Sequence, residues 1–436
     1  MKLNLISLIF KTRIFKGDSK WTDVPIAMFI YPLLLSNKKG NKMKTRFILL
    51  FTLLLTILNI NLHTQQKAQI AVDKNVARIS FDQISDFSEG LASVKKGNVW
   101  GFIDENGKVV IEPQYHAVVD YPRFMNGLAL VIKPGDEGLR GFIDNTGKVV
   151  IPFKYYMAMH FYDDITTTYS PAAADGSSQL KWSIIDKEGK VLVETFPNHH
   201  SYETYFVEGL ASNQIEFNVG YIDRTGKNVI EAKFIENRNF SDGMATVKGE
   251  TPTGEYKWGF INKDGKLVID YTYSNEPKPF SNGRAFVLSN DFKWGVIDKE
   301  GKLIVEPKFK QVFPFSENLA VVSEYDQKTF FEEWKIIDVN GKVIKSYPKP
   351  KKDDERITFW SGFQEGLAIV HKGYGMKHCA VDKSGKEVFK PMYRKINSFN
   401  SGRAYAEFYD DKTRKISYGY IDKKGNFVII NEAPQF

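Results

Sequence analysis

WGFIDENGKVVIEPQY, at positions 100–115, returns as WGVIDKEGKLIVEPKF at 294–309. In both copies two apolar runs flank Asp-x-x-Gly-Lys. Asp opens a type I turn and bonds its own backbone, and Gly takes the positive φ that the following bulge demands. Apolar runs on either side of such a turn make the phrase a β-hairpin. The turn glycine recurs as Gly107, Gly147, Gly189, Gly226, Gly265, Gly301, Gly341, Gly385 and Gly425, at gaps of 36 to 44 residues. Self-similarity at such a period marks a repeat architecture.

A second marker, F-x-x-G-x-A, precedes most of these glycines. It starts at Phe87, Phe124, Phe206, Phe240, Phe280, Phe363 and Phe399, and at Phe315 the glycine is replaced by Asn318. The third unit reads as lacking the marker, with Tyr169-Ser-Pro-Ala-Ala in its place. Nine units then tile 79–431 and leave no room for a separate domain. In the first unit strands are expected over 91–95, 100–104 and 108–112, with a weaker extended piece over 115–120. Pro113, Pro152, Pro307 and Pro391 should close the third strand, because proline cannot donate to a ladder. Trp100 and Phe102 point one way while Gly101 and Ile103 point the other. An apolar strand on both faces belongs to a sheet sandwiched between neighbours. Glycine beside tryptophan lets another backbone come close, and Trp294→Ala should cost about 3–5 kcal/mol if the ring is buried. The expected fold is all-β: nine tandem antiparallel hairpin repeats packed as a β-propeller, or as an open curved β-solenoid. VARISF (76–81) could lend the strand that closes a ring.

The phrase Trp-Gly followed by (F/V)-I-(D/N)-x-x-G-K, at Trp100-Gly101, Trp258-Gly259 and Trp294-Gly295, resembles the WG-repeat (KWG-type) family of bacterial proteins. The resemblance spans nearly all of 79–431. Several units depart from it, among them Trp182-Ser183, Trp334-Lys335 and His378-Cys379. Membership implies a β-repeat array and no reaction.

The 436 residues carry a formal charge of +8, which would suggest nucleic acid were it spread over the chain. It is not: residues 1–68 hold 11 Lys/Arg and 2 Asp/Glu, and the remainder balances to within one charge. A phosphate-binding surface needs standing cations on the folded domain, so nucleic acid is not an expected partner. MKTRFILLFTLLLTILNINLHTQQKA (43–68) has a cationic start, an apolar run too short for a comfortable membrane span, and a polar tail. That is the pattern of a secretory signal, with 1–42 read as an upstream extension and Met43 as the initiator. The alternative is an uncleaved N-terminal anchor. The expected location is the periplasm, the cell surface or the medium, with membrane contact only through the signal during export.

No residue set announces chemistry. The periodic Asp104, Asp144, Asp186, Asp223, Asp298, Asp338, Asp382 and Asp422 fit turns better than ligands. The histidines show no metal spacing, and Cys379, standing where other units have Gly, reads as a small buried residue. No catalytic residue, metal or cofactor is expected. What varies is the loop between the first two predicted strands of each unit, over 134–139, 175–180, 213–218, 249–257, 290–293, 325–333, 373–377 and 409–417. If units stack in register these loops share a rim, where repeat scaffolds carry binding surfaces. They present Tyr256, Phe292, Tyr325, Phe330, Phe331, Tyr374, Phe408 and Tyr409, candidate contacts for a protein or glycan partner. The expected function is a non-enzymatic binding or scaffolding module of the cell envelope; the alternative is a hydrolase with its site in a central channel or groove.

Overall fold

The computed structural model describes residues 76–135, 138–170, 181–194, 205–373 and 377–433, with the backbone of two strands nearer the start. The chain divides into a unit over 1–69 and a unit over 70–436. In the first, Lys11–Lys16 pairs antiparallel with Lys20–Pro25. The segment read as a signal, 43–68, lies outside the described residues. No helix among the described residues is long and apolar enough to cross a membrane.

The second unit is a ring of repeats. Unit 1 runs Gln83–Ser88, Leu91–Lys96, Val99–Asp104 and Val109–Tyr115, one antiparallel meander in chain order. The same meander recurs through the chain, so that nine repeat units occupy eight sheets. Two units share a six-stranded sheet because Leu303–Ser316 serves as the last strand of unit 6 and the first of unit 7.

Nine apolar clusters hold the units together, and each spans two consecutive units. Phe102, Ile111 and Tyr115 of unit 1 meet Phe124, Val131 and Ile143 of unit 2. The cluster of Tyr420 and Ile429 from unit 9 with Phe87, Val94 and Ile103 from unit 1 is built the same way. Nine units with nine interfaces form a closed ring; an open array would have eight. The fold is therefore a β-propeller, and the solenoid alternative falls. Ala77–Ile79 adds a parallel strand to Phe427–Asn431 of unit 9, so 76–81 does tie the ring shut.

The marker phenylalanines are the wedges. Phe124 sits tilted against Phe102 at 4.8 Å between ring centroids, and the contact is edge-on for Phe240 with Tyr221 at 4.9 Å, Phe280 with Phe260 at 4.9 Å and, across the seam, Phe87 with Tyr420 at 4.7 Å. Each such burial contributes on the order of 1.5–3 kcal/mol, plus a smaller term for the edge-to-face contact. Unit 3 has its wedge too. Phe161 is buried and lies 4.9 Å from Phe142, so the expectation that this unit lacks the marker is corrected. The motif there is Phe-Tyr-Asp-Asp-Ile-Thr, with both small residues replaced.

The Asp-x-x-Gly turns form as expected. Asp104 Oδ1 accepts the N–H groups of Asn106 and Lys108, both at 2.9 Å, and Asn262 does the same for Asp264 and Lys266. The WG glycine has a steric reason rather than a conformational one. A Cβ on Gly101 would lie 2.3 Å from Ile111 O, and one on Gly259 would lie 2.5 Å from Ile269 O. The fourth strand bulges over that glycine: Trp100 pairs with Tyr115 while Phe102 pairs with Ile111. In units 3 and 7, where Ser183 and Lys335 stand in, pairing is regular at that point, with Ser183 opposite Glu194 and Lys335 opposite Ser346. Pro113, Pro152 and Pro307 lie inside Val109–Tyr115, Val149–Tyr155 and Leu303–Ser316 rather than ending them. A bulge leaves backbone positions off the ladder, which is where proline is tolerated. The tryptophans Trp100, Trp182, Trp258 and Trp334 are buried, whereas Trp294 is only half-buried, so the cost expected for Trp294→Ala belongs to Trp258 or Trp334 instead.

One end of the ring is knitted by its turns. The residue before each marker glycine holds positive φ, as at Glu208 (+54°) and Asp242 (+56°). Its side chain then accepts the N–H of the next unit's turn. Glu208 takes Gly243 at 3.1 Å, Glu317 takes Gly366 at 3.0 Å, Glu365 takes Gly402 at 2.9 Å, and Ser401 takes Gly90 at 2.9 Å across the seam. Lysines at the second position of these four-residue turns sit on the same carboxylates: Lys263 on Glu208 at 3.1 Å and Lys383 on Glu317 at 2.7 Å.

Candidate functional site

Because every unit meanders, its first and third turns share one end of the sheet and its second loop lies at the other. The turn girdle fixes the first face, so the variable loops gather on the opposite face, each built on a tight local frame. In unit 6 Phe292 N–H donates to Ser289 O at 3.0 Å. Phe292 itself is held at φ +56° and is 73% exposed. In unit 7 Asp326 Oδ1 accepts Lys328 N–H at 2.8 Å, and Phe330 follows at φ +52°, 79% exposed. The unit 9 loop repeats this frame on Asp410, but its left-handed residue is Arg414. One backbone geometry thus presents a phenyl ring in one unit and a guanidinium in another.

Of the other aromatics picked from the sequence, Tyr256, Tyr325 and Tyr409 are exposed. Phe331 is half-buried under the Arg356 guanidinium, 5.1 Å from its ring. Phe408 packs partly into the core between units 8 and 9, so both rings spend part of their surface on packing. Tyr374 lies outside the described residues. Phe217 and Trp360 are the most exposed of the rings that were missed, Tyr156 and Tyr162 being the others among the described residues. Phe217, in a two-residue turn beside Glu216 at φ +55°, is 92% exposed. Trp360 is exposed and stacks on His371 at 4.9 Å. Phe217 lies within the loop already singled out, and an apolar ring in a two-residue turn was the signal; Trp360 lies outside every variable loop.

The same face carries a cavity of 790 Å³ at the seam, bounded by units 9 and 1 and the chain leading to unit 2. Its aromatic walls are Trp100, Tyr121, Tyr405 and Tyr418. Asp86 lies among the lining residues, with Asn397 Nδ2 donating to both its oxygens at 2.8 and 3.0 Å. Burial holds the Asp86 carboxyl above its ordinary range, against the opposing pull of Asn397 and Lys395. Asp82 Oδ2 accepts Gly97 N–H at 2.6 Å. Asp120 and Lys395 stand exposed at the rim.

The remaining chemistry-bearing groups serve structure. Cys379 is fully buried and its thiol is pushed up to about 12 by burial, which removes the thiolate a nucleophile needs. His378 Nδ1 accepts Ile396 N–H at 3.1 Å, and burial together with His371 brings its pKa down to about 4. That bond leaves the proton on Nε2, so neither nitrogen offers a free lone pair to a metal. His160 is likewise lowered to about 4 by burial and by Arg123. His199 and His200 lie outside the described residues. Among the described residues no three acidic, histidine or cysteine side chains converge to hold a metal.

The family model for the WG-containing repeat matches at 74–100, 100–133, 141–167, 220–248, 258–291, 294–327 and 380–412. No curated protein matches the sequence. Among solved structures, a eukaryotic initiation factor is similar at 11% identity and TM-score 0.50, covering 80% of this chain and 97% of its own. BamB from Moraxella catarrhalis is similar at 8% identity and TM-score 0.35, over 69% of this chain and 95% of its own. Apo AztD from Citrobacter koseri is similar at 14% identity and TM-score 0.33, over 70% and 92%. The first of these likenesses speaks to fold and to nothing further. Seven matched repeats, the shared WG hairpin and the closed ring place this chain in the WG-containing repeat family.

Proposed function

We propose that this chain is an exported, non-enzymatic binding module that docks a protein partner of the cell envelope on its variable-loop face. The observation that carries the reading is the pair Phe292 and Phe330, each more than two-thirds exposed and each in a left-handed conformation. A non-glycine residue pays about 1–2 kcal/mol for that backbone, and glycine or asparagine would fill the position better. Bulky rings held this way, with no core to join, are the kind of local strain that accompanies function. Phe217 and Tyr256 extend the row through units 4 and 5. Projecting phenyl tips suit insertion into pockets of a protein surface, since aromatic anchors dominate such contacts. Support for export is the 43–68 pattern and the single cysteine, which leaves stability to packing.

The test compares wild type with a Phe217→Ser, Phe292→Asn, Phe330→Asn triple variant in crosslinked capture from envelope fractions. Loss of the specific partner at unchanged melting temperature supports the reading. Equal capture by both proteins overturns it. N-terminal sequencing of the mature protein tests export separately: a start near residue 69 is expected, and retained 43–68 refutes it.

A further inference from the structure

We infer that the seam cavity is a separate binding site for a neutral saccharide. Its volume, 790 Å³, falls in the range of small-ligand sites. Its lining is aromatic and polar, with Ile84 the one aliphatic side chain, which disfavours a lipid. Three carboxylates, Asp82, Asp86 and Asp120, face two ammonium groups, Lys95 and Lys395, which disfavours a phosphate or another anion. An aromatic box beside carboxylates would suit a quaternary ammonium, but the protein already supplies the cations. Lys95 Nζ lies 5.7 Å over the Trp100 ring and Lys395 Nζ 5.2 Å over Tyr405. What remains is a neutral ligand with many hydroxyls and an apolar ring face. Tyr121 offers a half-buried ring for that face, and Asp120 and Lys395 offer rim partners for the hydroxyls.

Unit 1 leaves room for this cavity where units 5 and 6 do not. At the other junctions among units 4 to 6 the equivalent space is filled by the protein's own charges. Arg238 covers Trp258 at 5.0 Å and donates to Glu276 at 2.8 Å, and Lys278 covers Trp294 at 5.3 Å. In unit 1 the position matching Arg238, two before the marker phenylalanine, is Ser85, and its hydroxyl turns inward to Ser93 at 2.7 Å. A short side chain stands where a long cation would otherwise fill the space.

The experiment is binding of the full chain to immobilised neutral oligosaccharides (gluco-, galacto-, manno- and N-acetylglucosamine series), followed by calorimetry with the retained series. Asp120→Ala, Lys395→Ala and Tyr121→Leu are the variants, the first two being changes at exposed positions that leave the core intact. Retention of at least one series, weakened tenfold or more by Asp120→Ala or Lys395→Ala and unmoved by Phe292→Asn, supports the site. No retention, or retention indifferent to all three seam variants, overturns it. The loop-tip triple variant and the seam variants read different ligands, so failure of either proposal leaves the other standing.

Discussion

Gly259→Ala separates steric from conformational use of glycine. Gly259 lies within Tyr256–Asn262 and is not at positive φ. In an ordinary strand the exchange would stabilise by about 0.5–1 kcal/mol, through lost freedom of the unfolded chain. Here the new Cβ would meet Ile269 O at 2.5 Å and Asp270 C at 3.0 Å, both backbone atoms. Those atoms cannot rotate away, and the bulge between the pairs Trp258–Tyr273 and Phe260–Ile269 must move as a body. Overpacking of that kind costs about 1–3 kcal/mol, and a contact this short belongs at the upper end. The clash outweighs the entropy, for a net loss of about 1–2 kcal/mol. Ser183→Ala, at the matching position of unit 3 where no bulge crosses, is the control and should change stability by no more than about 1 kcal/mol. Guanidinium unfolding followed by tryptophan fluorescence reads both. Equal midpoints for Gly259→Ala and wild type would refute the close approach and, with it, the explanation of the WG pair.

Ile79→Ala should cost about 2–3 kcal/mol, near the low end for a buried isoleucine, because Ile79 is 8% exposed in the closing cluster. A near-neutral effect, with fast hydrogen exchange over 77–79, would show a frayed strand and an open ring. Cys379 should resist iodoacetamide at pH 8 in the native protein and react once unfolded, its thiol being pushed up to about 12. Rapid native labelling would contradict its burial. Melting temperature should fall as pH drops from 6.5 toward 4. His160 and His378 hold folded values of about 4 against an ordinary 6.5, so the unfolded chain takes up protons first and the stability present above 6.5 is lost on the way down. Lowered carboxyls such as Glu317 and Asp382 add a further loss as pH falls through their depressed values. A His160→Gln, His378→Gln variant should flatten the slope between pH 6.5 and 4; an unaltered slope refutes the assignment.

Period and hairpin were legible because they are local. Asp104 bonding Asn106 and Lys108 needs only five consecutive residues, so Asp-x-x-Gly could be read as a turn from its letters. Phe161 was missed because recognition leaned on the small residues around it, Asp164 and Thr166 having replaced the glycine and alanine. Its spacing, 37 residues after Phe124, and its aromatic character were the surviving signals. Closure was only hinted at, since the partner of Ala77–Ile79 lies at Phe427–Asn431 and no local pattern encodes a pairing that distant. The loop aromatics were half legible. Position in a variable loop marked them, but exposure follows from where the hairpin directs the ring. Phe330 turns outward while the adjacent Phe331 folds under Arg356, a difference of one residue that period-2 alternation could have suggested.

The two faces of the ring differ in how completely their polar groups are satisfied, and that asymmetry argues for function on one of them. On the turn face four of the carboxylates before a marker glycine, Glu208, Asp242, Glu317 and Glu365, are taken twice, by the next unit's N–H and by that unit's lysine, as Glu365 is by Gly402 at 2.9 Å and Lys423 at 3.1 Å. Exposed ion pairs contribute little singly, yet these run from unit to unit around the ring and fix the register in which neighbours meet. Those carboxylates have little left to offer a partner. On the loop face the same backbone frames, such as the Asp326 and Asp410 turns, hold Phe330 in one unit and Arg414 in another. The frame is kept while the presented group changes, which a packing role would not require. Stability therefore resides in the repeated letters, and the recognition proposed for this chain in the unrepeated ones.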